Sequence, residues 1–297
     1  MFSFELFTQA LIAGIVIGVI YALMALGITF IYSIVKMINW SMGEFYMLGS
    51  YAQYLIVVYW LGPDLWYVAA ILSAAAVFLA GWLIEPLLIK PMFTGGIERR
   101  DDYATVVTIA LLLLLRNLAT ALSGPYQRTP GTKLPGVMLG PLPESGARFA
   151  AFLAALAAIA LFTLLLKRTW LGLALRAASQ SRVGAQTSGV DVLSLDKLAF
   201  GIGVGLAGLA GALLAPVFMV YPTDGVVTTT KGFEIIVIGG LGSVPGALIA
   251  GVALGIAESL GATFIASAYQ NAYGFVLLLL VLALRPSGLF GERLRQA

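Results

Sequence analysis

The chain has 297 residues, 60% of them hydrophobic and 10% charged, with a mean hydropathy of +0.98 and a formal net charge of +3. Soluble domains carry about 25% charged residues, so these charges must lie in loops between apolar runs, and the chain reads as an integral membrane protein. With no cysteine and no histidine, disulfide frameworks, thiolate nucleophiles, imidazole bases and the usual metal ligands are excluded, and no catalytic residue, metal or cofactor is expected.

A helix needs roughly 20 mostly apolar residues to cross a hydrocarbon core of about 30 Å. Runs of that kind fall at about 8–32, 43–60, 66–85, 103–122, 149–166, 197–219, 246–264 and 270–285. The first reads as a span rather than a signal peptide, because Phe2 to Gln9 lacks a basic segment and Ala10 to Ile34 is too long for a signal core. The predicted fold is therefore all-α and polytopic, about eight transmembrane helices in one domain, with a further short piece. That piece, Phe233 to Ile238, ends in Gly239, Gly240, Gly242 and Ser243 with Pro245 behind. It reads either as a half-helix beside a transport route or as a tight turn after a short tilted helix.

The lysines and arginines orient the chain. With the N-terminus external, internal segments hold twelve: Lys36; Lys90, Arg99 and Arg100; Lys167, Arg168, Arg176, Arg182 and Lys197; Arg285, Arg293 and Arg295. External segments hold four, Arg128, Lys133, Arg148 and Lys231, which fits the positive-inside rule with a cytoplasmic C-terminus. The Pro-rich segment of about 123–148 becomes an irregular external cap, and about 167–197 the main internal loop.

Small residues four apart allow close helix approach in lipid. They recur at Gly14/Gly18, Gly201/Gly205, Ala207/Gly211 and Gly251/Gly255, predicting a dense bundle with a helical partner. In the internal loop, Leu173, Ala177, Ser181 and Ala185 share an i+4 stripe, Arg176 and Arg182 lie on other faces, and Gly189 stops the helix before Asp191. One amphipathic helix is predicted there, suited to a groove on another protein. Because the chain lacks a Gly-x-x-x-x-Gly-Lys-Ser/Thr loop, any ATP must be handled by a partner.

Ionisable groups inside spans cost about 2.5–3.5 kcal/mol on insertion scales and seldom stand alone. Arg116 and Glu258 come at similar depths in spans of the same direction, which predicts an intramembrane ion pair; alternatively Arg116 snorkels to the headgroups and Glu258 faces water. Glu44, after the polar break Asn39 to Gly43, lines a cavity mouth or lies at the inner interface.

Gly172 to Pro216, with Arg176-Ala-Ala, Gly189-Val-Asp and Leu206-Ala-Gly-Leu-Ala-Gly-Ala-Leu, resembles the coupling loop and following helix of permease subunits from branched-chain amino acid ABC importers, the LivH-like family. Ile236 to Ala247 and Ile38 to Tyr51 are similar to two further blocks of that family, in order, so the resemblance covers nearly the whole chain. It departs at Met42, where the family commonly has histidine, and at Gln180-Ser181, where it often has an acid or Asn. The resemblance implies a permease, not an enzyme, in a bacterial inner membrane. It also implies a homologous second permease, two cytoplasmic ATPases, and an extracytoplasmic binding protein that delivers substrate. Arg176, Ala177, Ser181, Arg182, Ala185, Gly189 and Asp191 would then couple to the ATPases, and Glu44, Gly239, Gly240, Gly242 and Ser243 would line the route. The implied substrates are branched-chain amino acids, or amides, urea or aromatic acids; a stand-alone secondary carrier is the rival.

Overall fold

The computed structural model describes residues 4–131, 134–139 and 142–291. Arg293, Arg295 and Lys133, counted in the charge bias above, lie outside them. The described residues form a helical bundle whose ends are told apart by charge. We call the end bearing Lys36, Lys90, Arg100, Lys167, Arg182, Lys197 and Arg285 the basic end.

α1 (Phe4–Val35) is an apolar run without proline, stopped where Lys36 takes a left-handed φ of 58°. The chain does not leave the bundle there. Met37, Asn39 and Ser41 are buried, and the Asn39 side chain accepts hydrogen bonds from the Ser41 amide and hydroxyl, a local turn that starts α2 (Met42–Ile56). A π-helical turn, Val57–Leu61, carries α2 on to Gly62. Then follow α3 (Trp66–Leu88), the short α4 (Pro91–Thr94) and α5 (Arg100–Ser123). The cap beyond α5 is more ordered than an irregular loop: β1 (Val137–Leu139) pairs antiparallel with β2 (Leu142–Glu144).

After α6 (Gly146–Arg168) the internal loop forms two helices, α7 (Trp170–Gln180) and α8 (Arg182–Thr187), instead of the single one expected. The cause is Ser181, whose extended backbone ends α7 while its hydroxyl caps the Gly184 amide of α8. α9 (Val192–Leu214) starts from Asp191, which caps the Ser194 amide. α10 (Asp224–Gly239) turns through 240–243 into α11 (Val244–Phe264), and α12 (Gln270–Leu284) closes the chain.

Among the described residues, seven segments are long and apolar enough to cross a membrane: Phe4–Val35, Pro63–Thr94, Arg100–Ser123, Gly146–Arg168, Val192–Leu214, Val244–Phe264 and Ser267–Leu284. The protein is thus a polytopic α-helical membrane protein. α10, at 16 residues, falls short of a full crossing, while α2 with its π-helical turn runs from Met42 to Leu61, the length expected of the span at 43–60.

α1 and α9 form the buried centre. α1 packs antiparallel on α11 through the two motifs read from sequence. A Cβ on Gly14 or Gly18 would strike the backbone of Ile256 or Val252, and one on Gly255 the backbone of Gly14 and Gly18. α9 uses its glycines likewise, Gly201 and Gly205 against Phe78 of α3, and Gly211 against Tyr46 of α2. Lipid tails are as apolar as the helices, so packing at this proximity holds the bundle together where the hydrophobic effect does not.

Candidate functional site

α2 and α10 meet. Gly43, in the first turn of α2, donates its amide to the Thr229 hydroxyl of α10, and a Cβ on Gly225 would overlap the Glu44 carboxylate. From that crossing α10 descends to the basic end, where its last residues adjoin Gly246 at the start of α11. α2 runs the opposite way: the Gln53 side chain donates to the carbonyl of Trp66 at the head of α3. Gly225 precedes the end of α10 by 14 residues, or about 21 Å at 1.5 Å per residue. The two helices therefore present their N-termini to each other within the depth of the bundle, where orphan amides and positive dipole ends need polar company.

Glu44 supplies part of it. Its side chain is 0% exposed, yet neither carboxylate oxygen has a hydrogen-bond partner. The charge that acts favourably on it is that of Arg116 on α5, opposed by Asp224. Glu44 is thus neither at a cavity mouth nor at an interface; it is enclosed between the first turns of α2 and α10.

Glu258 does not pair with Arg116. Its Oε1 accepts from Lys231 Nζ at 2.5 Å, and its Oε2 from the Tyr21 hydroxyl at 3.4 Å. α5 packs on α2 and α4 while α11 packs on α1, α10 and α12, so Arg116 and Glu258 belong to helices that do not adjoin. Lys231, assigned above to an external segment, lies in α10 instead. Sequence reasoning missed it because α10 begins nine residues before the piece that hydropathy marked, at Asp224 rather than Phe233. Thr228 to Lys231 are polar but helical, and a mid-helix lysine was the available sign.

A cavity of about 310 Å³ opens beside the crossing, lined by Tyr46 and Ser50 of α2, by Asp224, Thr228 and Lys231 of α10, and by apolar groups of α1 and α9. After the exposed Thr223, the outward side of α10 bears Asp224, Val226, Val227, Thr228 and Thr230, exposed or half-buried. Such a face is costly against lipid and suits water or a protein partner.

The glycine run takes the tight-turn reading. Gly240 and Gly242 adopt φ of 97° and 82°, Ser243 caps the Gly246 amide, and Ser33 donates to the Gly242 carbonyl. The Leu289 and Phe290 amides bond the Ile238 and Gly239 carbonyls. Gly239, Gly240, Gly242 and Ser243 thus form a braced corner at the basic end, not a break at mid-depth.

In α7–α8 the expected stripe is split by Ser181. Ala185 is 3% exposed, buried within this chain, Ala177 is half-buried, and Gly189 turns the chain with φ of 81°. Arg182 grips Asp196 with both terminal nitrogens, donates to the Ile34 carbonyl and lies over the Phe93 ring. Asp191 accepts from the Ser194 hydroxyl and amide, which hold its carboxyl below the usual carboxylate range. What faces outward is bulkier than the small-residue face expected: Trp170, 74% exposed, with Leu173, Arg176 and Val183.

Residues 10–284 match the profile of a family described as branched-chain amino acid transport system, permease component. The chain belongs to that family. It is 30% identical to the high-affinity branched-chain amino acid transport system permease protein LivH of Salmonella typhimurium, over 98% of this chain and 97% of the relative. The LivH protein of Escherichia coli is matched to the same extent, and the BraD permease of Pseudomonas aeruginosa is 31% identical over 96% of both chains. A permease of this branched-chain amino acid family is a transport subunit rather than an enzyme, and it implies partner ATPase, binding-protein and permease subunits.

Proposed function

We propose that this chain is one permease subunit of an ATP-driven importer of branched-chain amino acids, with the route passing along the polar face of α10 against a homologous second permease. The observation that carries it is the meeting of α2 and α10. Helix termini within the membrane are how transporters place polar groups on a route, and here they lie under a cavity and beside the exposed side of α10. The basic end faces the cytoplasm and the N-terminus the exterior, following the charge bias. One of two ATPases docks on α7–α8 through Trp170, Leu173, Arg176 and Val183, and an extracytoplasmic binding protein delivers substrate at the other end. The whole chain works as one transmembrane domain in a bacterial inner membrane.

The test is uptake into proteoliposomes holding this chain with its partner permease, ATPases and binding protein. ATP-dependent accumulation of L-leucine is expected. Accumulation of urea or benzoate in its place would assign the other substrate classes, and uptake driven by a proton gradient without ATPases would make the protein a secondary carrier.

A further inference from the structure

We propose that the cavity beside α10 is a zwitterion site, in which Asp224 takes the ammonium and Lys231 the carboxylate of a transported α-amino acid; this deepens the reading given above and rests on it. Asp224 and Lys231 are seven residues apart, two turns of one helix face and about 10 Å along its axis, and both line the same cavity. A ligand between them meets an acid at one end and a base at the other. Lys231 has three donors, of which Glu258 takes one, leaving others for a carboxylate. Gln270 and Asn271 of α12 line the same cavity with neutral amides.

The balance of charge favours an amine. Around Lys231 lie Asp224, Glu258 and, one turn on, Glu234, whose Oε2 is buried without a hydrogen-bond partner. Acid outnumbers base, so a monocarboxylate entering alone adds repulsion, whereas an ammonium removes it. The remaining wall suits a short aliphatic group: Ile20, Met24, Leu214, Phe218 and Val227. About 310 Å³ lies at the small end of ligand sites, which begin near 300 Å³, and admits an amino acid of leucine size. Urea lacks both charges and aromatic acids lack the ammonium, so neither matches the two ends.

Asp224→Asn keeps the acceptor that holds the Tyr221 amide and removes the charge. In the complete importer, it should lower ATP-dependent L-leucine uptake at least tenfold with all subunits still co-purifying. A second measurement is independent of the binding protein: thermal protection of the permease–ATPase complex by millimolar L-leucine, 3-methylbutylamine and 4-methylpentanoate. L-leucine should protect most, the amine less and the acid not at all, and Asp224→Asn should abolish protection by the amine. Protection by 4-methylpentanoate equal to that by L-leucine, or unchanged uptake by Asp224→Asn, overturns the site. If wild-type importer carries some other α-amino acid and not a branched-chain one, the broader reading falls and the zwitterion site stands; if it carries only urea, benzoate or a plain amine, both fall.

Discussion

Glu44 and Glu258 are both buried acids, yet they have opposite arrangements. Glu258 has a lysine at 2.5 Å, and breaking such a pair from one side leaves a buried charge, which costs about 3–5 kcal/mol. Lys231→Met or Glu258→Gln alone is therefore expected to lower the melting temperature of the purified subunit more than the double substitution does. Arg116→Leu, which breaks no hydrogen bond or ion pair to Glu258, should leave that cycle unchanged. Additive losses at Lys231 and Glu258 in thermal denaturation would contradict the pairing. Glu44 has no hydrogen-bond partner to lose, so Glu44→Gln is expected to leave the melting temperature within a few degrees while reducing leucine uptake several-fold. A large stability loss with normal uptake would make Glu44 a structural charge held by the two helix dipoles alone.

At the scale of elements, small-residue seams and capped turns decide the fold. Gly255 of α11 has no room for a side chain against Gly14 and Gly18 of α1; overpacking of this kind costs typically about 1–3 kcal/mol. Gly255→Val should accordingly destabilise the subunit by that order in denaturant unfolding. Gly240→Val forces a β-branched residue to a φ of 97° against the backbone of Gly291, and should impair transport by loosening the corner that α10 and α11 share, not by blocking the route. Asp191 contributes to α9 through a depressed pKa, so its cap is present at neutral pH and lost as pH falls through that lowered value. Amide exchange in the first turn of α9 should rise on acidification before exchange in the rest of the helix does. In the internal loop, Trp170→Ala with Leu173→Ala should lower ATPase co-purification or uncouple hydrolysis from uptake. Ala185→Trp should instead destabilise this subunit itself, since that side chain is buried in it.

Across the whole molecule, hydropathy made the long spans legible because length and apolarity alone define them: α1, α3, α5, α6, α9, α11 and α12 all fall where long apolar runs lie. Glycine spacing also made the α1–α11 seam legible, since only small residues permit that approach. What stayed hidden depends on lateral arrangement. Depth along a span placed Arg116 and Glu258 level with each other, but no periodicity tells which spans are neighbours, and Lys231 was obscured by the polar start of a half-helix. The break at Ser181 was likewise masked, because a stripe at i+4 reads the same across a capped interruption. The meeting of α2 with α10 follows from none of these patterns, because the segment before α2, anchored by buried Met37, Asn39 and Ser41, returns the chain into the bundle, where a sequence reading expects a loop.

That meeting, with α10 facing an aqueous route, is most directly tested by thiol labelling of the complete importer, since the natural chain has no cysteine and gives a clean background. Thr228→Cys on α10 and Leu279→Cys on the exposed apolar face of α12 would each be treated with a membrane-impermeant methanethiosulfonate during leucine transport. Labelling at position 228 that stops ATP-dependent uptake and is slowed by L-leucine, with no labelling at 279, is the expected result. A cysteine at 228 that resists the impermeant reagent but reacts with a lipid-soluble maleimide would place α10 against lipid and contradict the route.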